Sequence, residues 1–149
     1  MAKDSIYYPE NSLEEKYKAG LLKDIEDHVI EFVDRHHETI LKIAATLKEN
    51  NVKHPYIEAT QVLVGKRGSI HLPSEMAALI KEINKEKWYR GEEGEEDDEK
   101  VQEDWKMKYA ELWRESRKIE IFYVIERQQD EVREHLFKLA RKIGLNPSV

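Results

Sequence analysis

Residues 101–143 contain neither proline nor glycine, and Gly144 closes them. A run of this length without a chain breaker constrains the fold more than any other feature, because strands and loops need punctuation and a helix does not. Trp105, Tyr109, Leu112, Ser116, Ile119 and Tyr123 step by four and three, which places them on one face of a helix. Phe122, Ile125, Gln129, Val132, Leu136, Leu139 and Ile143 form a second stripe. The two stripes slip against each other between Ile119 and Ile125, and such a slip changes how a helix winds on its partner. Arg141 and Lys142 fall in the last turn, Gly144 supplies a left-handed cap and Pro147 lies beyond, so the ending is well signalled. Residues 118–126, KIEIFYVIE, are β-branched and aromatic enough to pass alone for a buried strand. No turn residue sets them off, so the expectation is one long helix buried at its centre.

The other end of the chain predicts a similar element. Ser12 and Glu15 make a capping box, and Leu22, Ile25, Val29, Phe32, Val33, His36, Ile40, Ile43 and Leu47 follow as a broad apolar stripe ending at Asn50-Asn51. Gly20 and residues 35–37 are the places where this helix would bend or break. Residues 1–11 are expected to be a mobile N-terminal segment, and no charged-then-apolar leader pattern stands in them.

Between the long elements, Gln61-Val-Leu-Val64 and Ser69-Ile-His-Leu72 flank Gly65-Lys-Arg-Gly68. Two β-prone runs around a glycine-bounded loop predict a β-hairpin. Ser74 is the expected N-cap of a shorter helix, 74–90, with Met76, Leu79, Ile80 and Ile83 on one face. Residues 91–99 then hold seven acids and no base, so 91–100 is expected to be a solvated acidic loop. The net charge of −6 is largely that loop, since residues 1–90 carry −1 and 100–149 carry +2.

The predicted fold is therefore mainly α with a small inserted β-hairpin: two long antiparallel helices plus one shorter helix, in a single domain. Helices near 40 residues would each span about 60 Å, whereas a compact chain of this size has a radius of gyration of about 15 Å. Such helices would overhang one copy and leave apolar stripes uncovered, in coiled-coil fashion. The expected function is thus a non-catalytic interaction, assembly or regulatory protein acting as a homodimer. Trp105, Leu112, Trp113, Ile119, Phe122 and Tyr123 are its expected interface.

The run GKRGSIHLPSEM, residues 65–76, resembles two DNA-binding families over about 25 residues. These are the AbrB-type swapped hairpin and the ribbon-helix-helix fold. The resemblance implies a DNA-binding regulator in which Ser69 and His71 face the bases and Lys66 and Arg67 the phosphates. The pattern departs from both families downstream, where seven acids replace a second helix. A metal-binding helical bundle is the third reading, from His28 with Glu31 and Glu131 with His135. Neither pair forms the Glu-x-x-His motif of di-metal bundles, so no metal site and no cofactor are assigned. His36-His37-Glu38 is similar over three residues to the phospho-accepting pair of sensor kinases, but no nucleotide-binding segment follows.

Nucleophile elbow, P-loop, dinucleotide and zincin signatures are absent, and the expectation is that the protein is not an enzyme. With no cysteine there is no disulfide or thiolate ligand. No run of about 18 apolar residues suggests a membrane span, and a cytoplasmic protein is expected.

Overall fold

A computed structural model describes residues 10–94 and 97–145. They form eight helical segments: α1 (Glu10–Lys18), α2 (Lys23–Glu26), α3 (Val29–Arg35), α4 (His37–Glu49), α5 (Pro55–Arg67), α6 (Leu72–Glu92), α7 (Asp98–Arg127) and α8 (Gln129–Lys142). Among the described residues there is no strand. Residues 1–9 of the expected mobile segment lie outside them. The helix expected at Ser12 already begins at Glu10.

The first correction concerns the long helices. Residues 12–51 are not one rod but four pieces, α1 to α4. Gly20 adopts φ 77° and ends α1, with Leu21 N–H bonded to the Lys16 carbonyl and Gly20 N–H to that of Tyr17. This is the paired closing bond of a left-handed cap. His28 and His36, at φ −118° and −113°, bend the chain again. Asn51, at φ 61°, closes α4 by the same paired bonds from Val52 to Leu47 and from Asn51 to Lys48. At the other end, Gln128 separates α7 from α8, a few residues after the slip between the stripes. Gly144, at φ 82°, caps α8 as its position predicts.

These bends exist because a straight rod cannot lay two differently oriented stripes on one small body. Bent, the pieces share a core. Leu22, Ile25, Val29, Val33 and Ile40 from the first half meet Val124, Ile125, Val132 and Leu136 from the second. Residues 118–126 are helical within α7, as expected, and Ile121, Val124 and Ile125 are fully enclosed.

The second correction is the hairpin. Residues 61–67 continue α5, and 68–71 connect it to α6. Pro55 opens α5 at a position where its missing N–H costs nothing, and Gly68, at φ 83°, caps it. The run QVLV is helical because Val64 and Thr60 on one face meet the core, while a lone two-stranded hairpin would leave both edges unpaired. Gly65 is not a turn residue. It lies inside the helix where an added Cβ would stand 3.7 Å from Phe122 Cζ, an ordinary contact. Gly65→Ala is therefore expected to raise stability by about 0.5–1 kcal/mol. Gly68→Ala, forced into a left-handed conformation, should lower it by about 1–2 kcal/mol. Urea melts of the two variants check this, since a hairpin turn at 65–68 would make both changes costly.

α6 and α7 run antiparallel as a helical hairpin, with Arg90 bonded to Asp104 near its tip and Arg117 to Glu75 near its base. Between them lies a second, smaller apolar cluster of Ile83, Trp105, Ala110 and Trp113. The acidic tract is only partly a loop: α6 reaches Glu92, and α7 starts at Asp98 behind an Asp97 side chain that accepts from the N–H groups of Glu99 and Lys100. Asp97 and Glu99, beside and in that first turn, are well placed for the positive end of the helix dipole.

Candidate functional site

Arg117 sits on α7 between the two apolar clusters, four residues after Trp113 and four before Ile121. Its side chain is 10% exposed. Nη2 donates to Asp24 Oδ2 at 2.7 Å and to Glu75 Oε2 at 3.1 Å, and Nε donates to Glu75 at 3.2 Å. Nη1 lies 3.7 Å from Glu120 Oε1. Lys16 on α1 closes the network by donating to the other oxygen of Glu120. Burial works against the guanidinium charge, but Glu75, Asp24 and Glu120 outweigh it and hold Arg117 above its ordinary pKa. One residue thus ties α2, α6 and α7 together.

Beside this network the rings of His28 and His71 stack, with centroids 3.7 Å apart and planes 7° from parallel. His28 Nδ1 lies 2.7 Å from the Asp24 carbonyl and donates to it. His71 Nδ1 accepts from the Ser74 N–H at 3.3 Å and lies 2.7 Å from its hydroxyl. His71, not Ser74, is therefore the N-cap of α6.

Above Arg117 a groove of about 570 Å³ opens between α1 and α2 on one side and α6 and α7 on the other. Lys16, Lys23, Lys81, Lys85 and Arg117 line it as cations, and Asp24, Glu82 and Glu120 as anions.

The residues singled out from the sequence fall elsewhere. Lys66 and Arg67 are exposed at the end of α5, and neither has an ion-pair partner among the described residues. Ser69 and His71 lie in the α5–α6 connector, so the alternating strand that would present them to bases does not exist. Of the expected interface residues, Trp105 and Trp113 are buried against each other as an edge-on pair at 6.2 Å. Phe122 and Tyr123 pack on the main core, and only Leu112 and Ile119 stay exposed. His28 is taken by the stack, Glu31 by Arg35 at 2.7 Å and His135 by Asp34 at 3.1 Å. Among the described residues no three His, Asp or Glu side chains form a metal-binding group.

Sequence reasoning missed the Arg117 network. The available signal was a charge at the centre of the i, i+4 series Trp113, Arg117, Ile121. A cation in a buried stripe needs carboxylates around it, but which ones cannot be read from spacing.

His36 makes a testable contribution at the α3–α4 bend, where its ring lies 4.7 Å from Phe32. Burial first, then the charges of Arg67 and Arg35, lower its pKa. The unfolded chain, near the ordinary value of about 6.5, therefore binds the proton more readily. This contribution to stability is complete above that value and is lost as pH falls below it. Urea midpoints should accordingly fall less steeply with acidification in His36→Gln than in the wild type, and parallel profiles would refute the assignment.

No helix among the described residues is long and apolar enough to cross a membrane. Searches of protein-family models, curated proteins and solved structures find no match to this chain.

Proposed function

We propose that the protein is a non-catalytic interaction module that assembles as a homodimer through the outer face of its α6–α7 hairpin. The surface is not the one expected from the sequence, because the terminal segments fold back on their own core and cover the stripes that argued for a partner there. The observation that carries it is α6 itself. Over 21 residues this helix buries only Ile83 and Glu86, while Leu72, Met76, Ile80 and Trp88 are 64, 46, 52 and 62% exposed. Pro73, Met76, Ile80, Asn84 and Trp88 succeed one another around the side turned away from α7, with Lys87 as the one charged residue among them. Large apolar side chains grouped on one helix mark a docking surface more than scattered ones do.

A second copy suits this face because the face is self-complementary. Met76 and Asn84 lie four residues on either side of Ile80. Two α6 helices crossing antiparallel at Ile80 would bring the two Ile80 side chains together and set each Met76 near the other copy's Asn84, as a two-fold contact requires. Charge follows the same symmetry. Exposed Glu92 and Glu93 at one hairpin's tip would approach exposed Lys66 and Arg67 at the other's base.

Sedimentation velocity at micromolar concentration tests this. The wild type is expected to sediment as a dimer. Met76→Glu with Ile80→Glu is expected to be a monomer with an unchanged helical spectrum. A wild-type monomer overturns the proposal.

A further inference from the structure

The geometry points to the groove above Arg117 as a binding site for a small organic polyanion: a phosphate, or two or more carboxylates, on a compact apolar frame. At about 570 Å³ it falls within the size range of small-molecule sites. Leu21, Ala77, Ala78 and Trp113 are its apolar lining, and Arg117, Glu120 and Lys16, already joined to one another, line it as well. The rim is different. Lys23 comes from α2, and Lys81 and Lys85 stand one turn apart on α6.

Lys81 has no carboxylate partner among the described residues. Lys23 and Lys85 pair only with near neighbours on their own side, Asp27 at 3.3 Å and Glu82 at 3.2 Å, with lysine side chains 70 and 52% exposed. Exposed pairs of that kind contribute little and exchange readily for a better anion. Three flexible cations from two elements thus converge on one cavity in a chain whose net charge is −6. The lining itself holds five cations against three carboxylates.

The surroundings limit the ligand. Asp27 and Glu82 flank the lysines, so the positive zone is one or two anionic groups wide, too short for a polymer such as a nucleic acid to follow. The apolar lining residues favour a ligand with some carbon frame over a bare ion. A ligand seated here would bridge α2 to α6, across the same joint that Arg117 holds from below.

Isothermal titration of the full chain at low salt with phenyl phosphate, citrate and inorganic phosphate tests the site. Phenyl phosphate or citrate is expected to bind saturably, about tenfold or more tighter than inorganic phosphate. Lys81→Ala with Lys85→Ala should weaken that binding about tenfold or more while leaving the thermal melt unchanged, because both side chains are exposed on a helix. The equally exposed Lys42 is the control, and Lys42→Ala should bind like the wild type. The monomeric Met76→Glu, Ile80→Glu variant should also bind, since its changes lie on another side of α6. No binding by any of the three probes, or an equal loss in the Lys42 control, overturns the inference. Inorganic phosphate bound as tightly as phenyl phosphate overturns the organic frame and leaves only an adventitious ion.

Discussion

Replacing Arg117 with alanine is expected to lower the free energy of unfolding by about 3–5 kcal/mol. The side chain is 10% exposed, and its partners Glu75 and Glu120 are 12 and 7% exposed. Removing the guanidinium leaves those two carboxylates and Asp24 facing one another at the junction of the two apolar clusters. The cost is then not the lost attraction but the enclosed charge that remains. Arg117→Lys should recover only part of the loss, because one ammonium cannot reach three carboxylates as a planar fork does. Urea unfolding of the two variants measures this. A loss below about 1 kcal/mol would mean that the network is exposed to water and that α6 is not anchored there.

Leu136→Ala is expected to cost about 2–5 kcal/mol. Leu136 is completely enclosed, on the face of α8 that meets the core together with Val132 and Ala140. Its partners there, Val29, Val33 and Ile40, come from the other end of the chain. The change thus tests the bend at Gln128 directly. Were residues 101–143 a straight rod, α8 would leave the body and the substitution would be nearly silent. Leu112→Ala provides the comparison. Leu112 is 49% exposed, and its loss should fall within about 0.5 kcal/mol of the wild type. Equal effects at the two positions would contradict the packing described.

The hairpin shows where reading from sequence alone stops. Gly65 and Gly68 have the same side chain and opposite roles. Gly68 needs its freedom at φ 83°, while Gly65 sits in a regular helix against Phe122. Local pattern marks both as turn residues because nothing in GKRG separates a cap from a helical position. The difference lies in what is packed opposite, and Phe122 is 57 residues away in the chain. The tryptophans make the same point. Trp105 and Trp113 are buried and Trp88 is exposed, although all three stand on helices beside the acidic tract. Arg117 was visible as a charge in an apolar series, yet Asp24 and Glu75, from α2 and α6, reach it only through the fold.

By itself the sequence determined where several segments end, through Gly20, Asn51 and Gly144, and which side of the core helices seeks cover. Those are short-range matters of backbone sterics and periodicity, legible within a few residues. Only the tertiary structure decided that QVLV is helical, that the terminal segments bend at His28 and Gln128, and which carboxylates surround Arg117. Each of those outcomes depends on how much apolar surface the whole body can enclose, and no local preference is large enough to oppose that sum.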